Sequence, residues 1–365
     1  MYGNKRFYLT AHTADGFRSF FDSVYTPFSD ERLYLVVGAS SLLRSDFIKS
    51  VAKILCKEGF LCEKILSTID ENKLTGAIFE EIGVYIFDAD CIGRFNCNIC
   101  DCTQYIVNLG EICAHADLYE KRDEVFSLYK EKDDYSQRCS KFLCAGISMR
   151  DDTQRIAGKS LNAEKLEKYV TRFVKKEFGE IAENAGKLSH RFVAALSPDG
   201  IRTEFETITN ECARVYVLDD SFSIVSDALI NQIKDAALSC GYDVTLCHDF
   251  IDPGKARHVI IPQLSLCFFT SDPFCKWDGE YTKKVNFTRF VDRETVKSHR
   301  NRIKFNNDAI EELVCQACVN LELVKCAVDR LDDIYENCCE REKLNDFVET
   351  TVNEILHSLK VKEVL

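Results

Sequence analysis

The chain repeats itself. Arg6-Phe7-Tyr8-Leu9-Thr10-Ala11-His12-Thr13-Ala14-Asp15-Gly16-Phe17-Arg18 recurs as His190-Arg191-Phe192-Val193-Ala194-Ala195-Leu196-Ser197-Pro198-Asp199-Gly200-Ile201-Arg202, with the Asp-Gly-apolar-Arg core aligned without a gap. Farther on, Gly59-Phe60 pairs with Gly241-Tyr242, Asp70 with Asp252, Lys73 with Lys255, Ile78 with Ile260, Ile82 with Leu264 and Asp90 with Asp272, all at one constant separation. Such a register is hard to obtain by chance and points to internal duplication. Each half reads as a strand with a turn at Asp15-Gly16 or Asp199-Gly200, then strand, loop and helix. A strand ending near Ile65 or Leu246 follows, and another at Val84 to Phe87 or Leu266 to Phe269. Strands alternating with helices predict an α/β fold in each half, a mainly parallel sheet flanked by helices.

Helices close each half, at Glu111 to Lys132 and Ala163 to Ala185, then at Arg293 to Asp333 and Leu344 to Leu359. Leu166, Tyr169, Val170, Phe173 and Val174 recur at spacings of three and four, so one face of that helix is buried. Asn162 caps its start and Gly186 is a plausible stop. The boundary falls there, giving domains 1–186 and 187–365. A chain of 365 residues, 46% apolar, is long enough for two full cores. Five prolines and no Ser/Gly tract leave no flexible linker, so the halves are expected to pack together.

A formal net charge of −12 opposes nucleic-acid binding. The N-terminal residues lack the apolar segment of a signal peptide, and no stretch approaches a membrane span, so a cytoplasmic protein without membrane contact is expected. The 19 cysteines, scattered through apolar positions such as Cys56, Cys240, Cys267, Cys315 and Cys326, read as small buried hydrophobes in a reducing compartment, with few or no disulfides.

Within the first half, the run Leu33 to Val37 stops at Gly38, and a helix pattern follows through Phe47, Val51, Ile54 and Leu55. This strand, loop and helix is the arrangement that carries the phosphate-binding loop G-x-x-x-x-G-K-[ST] of P-loop NTPases. Gly38 holds the first Gly position and Ser45 the hydroxyl position, but Leu43 replaces the second Gly and Arg44 the Lys.

Taken with its repeat, the chain resembles a family of bacterial tandem P-loop proteins described as ATPases or nucleotide-kinase-like proteins of unknown role. The family's Phe-x-x-Gly/Ala-x-Thr-x-x-Gly element is matched by Tyr8, Ala11, Thr13 and Gly16, and again by Phe192, Ala195, Ser197 and Gly200. Asp252-Pro253 and Val259-Ile260-Ile261-Pro262-Gln263-Leu264 match a second family stretch. Of a segment that leads to Asn-Leu-Gly, Asp88 and Asn108-Leu109-Gly110 survive. A family helix near the C-terminus is similar to Lys325 to Tyr335, with Lys325, Asp329, Leu331 and Tyr335 kept, Asp332 in place of Glu and Val328 in place of His. The resemblance covers most of the chain and implies two P-loop NTPase-type domains that ancestrally bound ATP and Mg²⁺.

By that resemblance the first half offers Gly38, Arg44, Ser45 and Asp88 for nucleotide and metal. Arg44 keeps the charge of the family's Lys with the wrong shape, and Leu43 obstructs a loop that needs glycine. Asp46 places a carboxylate where phosphate would sit, and helix capping explains Ser45 and Asp46 better than nucleotide binding does. In the second half Asp219, Val225 and Ser226 stand in the loop positions, Thr270 replaces Asp88, and Asp272 follows two residues on. That site reads as lost. Cys91, Cys97, Cys100 and Cys102 form a C-x5-C-x2-C-x-C run that could hold zinc or an iron–sulfur cluster, against the alternative of free loop thiols. His115 and His248 read as structural rather than catalytic. The expectation is therefore a degenerate member, non-catalytic or weakly nucleotide-binding, acting through contacts with an unknown protein partner. The alternatives are an Mg-dependent ATPase working from the first half alone and a cysteine-rich metal or redox module.

Overall fold

In a computed structural model the chain is described over residues 5–93, 102–221, 223 and 225–362. Its β-branched and aromatic runs make two six-stranded sheets. The first is built from β1 (Lys5–Phe7), β4 (Arg32–Val37), β5 (Glu63–Leu66), β6 (Leu74–Phe79), β7 (Val84–Asp88) and β8 (Gln104–Asn108), in the order β1-β5-β6-β7-β4-β8. The hairpin strands β2 (Thr10–Thr13) and β3 (Gly16–Ser19) lie outside it. The second sheet takes β9 (Leu188–Arg191), β12 (Arg214–Asp219), β13 (Val244–His248), β14 (Ala256–Ile261), β15 (Leu266–Ser271) and β16 (Lys283–Asn286), in the matching order β9-β13-β14-β15-β12-β16. Its own hairpin is β10 (Ala194–Ser197) with β11 (Gly200–Thr203). A register shift occurs at Ile65/Leu66 in one sheet and at the equivalent Cys247/His248 in the other. The two halves thus repeat strand order, pairing direction and irregularity.

The sheets are mainly parallel, as expected, but each contains one reversed strand. β6 runs antiparallel to β5 and β7, and β14 antiparallel to β13 and β15, while the remaining pairs are parallel. Chain length explains it. A parallel crossover needs a dozen or more residues, whereas Glu80–Gly83 alone joins β6 to β7, so the strand must fold back. That turn closes on a left-handed residue, Gly83 at φ 61° in one half and Ser265 at φ 46° in the other.

Nine described helices accompany the sheets: α1 (Ser41–Lys57), α2 (His115–Glu120), α3 (Arg122–Gly158), α4 (Ala163–Glu177), α5 (Phe205–Glu211), α6 (Ser226–Ser239), α7 (Arg293–Ser298), α8 (Arg300–Glu336) and α9 (Leu344–Lys362). The expected helix from Glu111 is two helices, the second running on to Gly158, and the one from Arg293 breaks at His299. Asn162 does cap α4, accepting from the Lys165 N–H at 2.9 Å, but the helix stops at Glu177, before Gly179 at φ 78°, rather than at Gly186. Gly186 serves another purpose: a Cβ there would come within 1.9 Å of the Tyr242 carbonyl oxygen.

Two compact units result, and they are not the contiguous blocks 1–186 and 187–365. The unit with the second sheet comprises Ala11–Arg18 and Arg138–Val319; the unit with the first sheet takes the residues up to Thr10, Ser19–Gln137, and those from Asn320 on. The helical tails are exchanged. α4, from the first half of the sequence, packs on α6, and α9, from the second, packs on α1. In the second-sheet unit Phe173 of α4 meets Phe268 at 4.8 Å and Tyr216 at 5.3 Å, edge to face, within a core that includes Leu229, Ile233 and Val259. In the first-sheet unit Leu128 of α3 packs with Ala327, Leu331 and Ile334 of α8.

One disulfide is present among the described residues, Cys113–Cys339, joining the segment after β8 to the segment between α8 and α9 within the first-sheet unit. It closes a loop with a sequence separation of 226, so its effect on the unfolded chain is large. Cys339→Ser is expected to lower the unfolding free energy by about 2–4 kcal/mol. A urea titration followed by circular dichroism, oxidised protein against variant, measures the difference.

Candidate functional site

At the end of β4 the chain turns through two left-handed residues, Gly38 at φ 74° and Ala39 at φ 51°. Gly38 must be glycine: a Cβ there would lie 2.4 Å from the Gly110 nitrogen. Ser40 then caps α1, its side chain accepting from the Leu43 N–H at 3.1 Å. The cap is therefore Ser40, not Ser45 or Asp46. The Ser45 hydroxyl instead accepts from the Leu74 N–H at 2.8 Å and ties α1 to β6. Asp46 accepts from Arg341 and lies 3.4 Å from Lys49.

Arg44 fills the loop from inside. Its Nη1 donates to the carbonyls of Gly38 at 3.1 Å and Ala39 at 3.0 Å, its Nε lies 2.9 Å from Asp88 and its Nη2 2.5 Å from Asp90. Burial would strip its proton, but Asp88 and Asp90 outweigh burial and raise its pKa, so the guanidinium stays charged. The carboxylate at the helix start is Asp332 of α8, 5% exposed. It accepts from the Ser41 hydroxyl at 3.0 Å and the Leu42 N–H at 3.3 Å, and it pairs with the buried Lys73. An anion at a helix N-terminus is favoured by the unpaired N–H groups and the dipole; here the protein supplies its own.

The second half reaches the same end with other residues. Asp219, expected in the first loop position, instead ends β12 at the place of Val37 in the sheet register, which puts Asp220 at the place of Gly38; Asp219 pairs with the exposed Lys284 at 2.9 Å. Its neighbour Asp220, 0% exposed, accepts the N–H groups of Val225 and Ser226, both at 2.8 Å, at the start of α6. A carboxylate again receives the N–H groups of the helix start. The buried cation is Arg257, from β14: it donates to Ser223 at 2.9 Å and Ser226 at 3.3 Å, pairs with Asp272, and lies 3.5 Å from Asp249. Asp272 also takes the N–H groups of Phe274 at 2.9 Å and Cys275 at 2.8 Å. Asp249 is shared with Arg150 of α3 at 2.9 Å. Burial pushes its pKa up, but Arg150 and Arg257 hold it at about 2. Thr270, at the position of Asp88 in the sheet register, donates its hydroxyl to the Arg257 carbonyl.

Gly38, Arg44 and Asp88 therefore do converge, as do Val225, Ser226 and Asp272, but each set is consumed by internal pairing. A polyphosphate would have to displace Asp332 or Asp220, so these residues do not fit Mg·ATP as they stand. Lys73, Asp90, Asp249, Arg257 and Asp332 escape the sequence reading of the site, whereas Asp219-Asp220 already place two carboxylates in the second loop. Lys73 and Asp90 carried a signal, being shared between the repeats; Arg257 carried none, because its role appears only when β14 lies beside β15. Of the cysteine run, Cys97 and Cys100 lie outside the described residues. Burial, with Asp88 and Asp90 nearby, raises the Cys91 thiol, and Cys102 is exposed. Among the described residues no three His, Cys, Asp or Glu side chains form a metal-holding group. His115 is exposed at the start of α2, and His248 lies 2.7 Å from His190. No known protein family, curated protein or solved structure matches the chain, and no described helix is long and apolar enough to cross a membrane.

Removing one partner of a buried pair strands the other charge. Asp332→Ala should cost about 3–5 kcal/mol, and Lys73→Met in the same chain should restore most of it; equilibrium denaturation of single and double variants tests the coupling. Acid should weaken the second-sheet unit in two stages. Burial and His190 depress His248 to about 4, so its contribution is full above the ordinary imidazole value of about 6.5 and lost as pH falls towards 4. That of Asp249 is full above the ordinary carboxylate value of about 3.9 and lost as pH falls towards 2. Trp277, the single tryptophan, lies in this unit, so urea midpoints read from its fluorescence should fall on acidification, with His248→Gln flattening the upper stage.

Proposed function

We propose that the chain is a tandem pair of degenerate P-loop NTPase-type domains, non-catalytic, that acts by holding a protein partner. One observation carries this reading: at both helix starts where such a domain would receive phosphate, a buried carboxylate of the chain is already bonded, Asp332 at α1 to the Leu42 N–H and the Ser41 hydroxyl, Asp220 at α6 to the Val225 and Ser226 N–H groups. Buried arginines occupy the two loops, each already neutralised by aspartates. Opening either site for nucleotide would displace a buried carboxylate from its bonds, Asp332 from Lys73, the Ser41 hydroxyl and the Leu42 N–H, or Asp220 from the Val225 and Ser226 N–H groups. Exposed apolar side chains such as Phe126 of α3, 68% exposed, and Ile106 on the edge strand β8, 52% exposed, are the candidates for the partner contact.

Thermal unfolding with 1 mM Mg·ATP or Mg·GTP tests the reading. A ligand with a Kd of about 10 μM would stabilise the native state by ~2.7 kcal/mol and raise Tm by a few degrees. No shift is expected. A shift of that size, lost in Arg44→Ala, would restore the ATPase alternative with Arg44, Ser45 and Asp88 at its centre.

A further inference from the structure

The segment after β16 and the start of α8 bound a cavity of about 570 Å³ in the second-sheet unit, within the size range of small-molecule sites. Its walls are apolar: Phe287, Val291 and Ile303 are buried there and Val296 is half-buried. Its mouth carries Arg293, Lys297, Arg300 and Lys304, all exposed, against the single carboxylate of Asp308. Steps of three and four residues bring these cations and Val296 and Ile303 to one side of α7 and the first turns of α8. Arg293 donates to the Thr288 hydroxyl at 3.4 Å. Among the described residues, Lys297, Arg300 and Lys304 have no ion-pair partner.

This is a local reversal of sign on a chain of net charge −12. A wholly apolar guest would leave the cations without a counter-charge, and a small hydrophilic anion would leave the apolar walls wet. Both demands are met by a molecule with a hydrocarbon body and one anionic end. We propose that the cavity binds a single-chain amphipathic carboxylate of the fatty-acid class, its chain against Val291, Val296 and Ile303 and its carboxylate between Lys297 and Arg300. The inference stands apart from the nucleotide question, since none of these residues takes part in the loops described above.

Isothermal titration of the full chain with decanoate below its micelle concentration tests it. Saturable binding at one site is expected, with decanol and inorganic phosphate each binding at least tenfold more weakly. Lys297→Glu with Arg300→Glu, at exposed positions, should cut decanoate affinity at least tenfold with an unchanged circular dichroism spectrum. Val296→Trp should abolish binding by filling the cavity. Absence of saturable decanoate binding, decanol or phosphate binding as tightly as decanoate, or indifference to the double charge reversal would each overturn the proposal. So would adsorption to phosphatidylglycerol vesicles without decanoate binding, which would make the face a membrane-surface patch.

Discussion

A buried guanidinium held by aspartates at the ends of parallel strands is the interaction on which both halves depend. Burying an arginine is unfavourable unless its donors and its charge are met together. Arg44 meets that demand with two loop carbonyls and two carboxylates, Arg257 with two hydroxyls and two carboxylates. Each arginine in turn fixes its surroundings: the turn through Gly38 and Ala39 in one half, the approach of β14 to the loop before α6 in the other. Both loops are thus shaped around a resident cation.

The repeats conserve the demand while trading the parts. Asp90 and its counterpart Asp272 each receive an arginine, but it comes from a helix in one half and from a strand in the other. Ser45 takes the first N–H of β6 at 2.8 Å, and Asp227, its counterpart by the sheet register where Ser226 was expected, takes the first N–H of β14 at 2.9 Å. On the long helices the polarity is inverted: α8 brings Asp332 to a lysine, α3 brings Arg150 to an aspartate. Such exchanges are expected where buried charges must stay paired, since one partner cannot change without the other.

How much of this was legible in the sequence follows from how local each feature is. The repeat, the strand-loop-helix at Leu33 to Phe60 and the helix cap at Asn162 are written in neighbouring residues, and they match the fold. The antiparallel β6 and β14 were not foreseen, because runs such as Leu74–Phe79 are short and their direction is set by the length of the turn that follows. Arg44 and Asp88 stood out through their positions in a motif. Arg257, Asp249 and Asp332 did not, because their partners lie on other elements and no pattern of spacing connects them. Asp46 and Ser45 were misassigned for a related reason: a carboxylate or hydroxyl in the first turn reads as a cap, and only the observed bonds of Ser40 show which residue does the capping.

The exchanged helical tails bear on how such a chain is made. Synthesis proceeds from the N-terminus, and the first sheet is complete by Asn108, yet α9, which covers α1, and Asp332, which neutralises Lys73, lie near the far end of the sequence. A nascent chain that has finished its first sheet therefore carries an uncovered helix face and a lysine without its carboxylate. The second sheet is served in the opposite order, since α4 and Arg150 are synthesised before the strands they stabilise. Although the first sheet is the earlier to be translated, it is the second whose supporting helices are already waiting when its strands emerge.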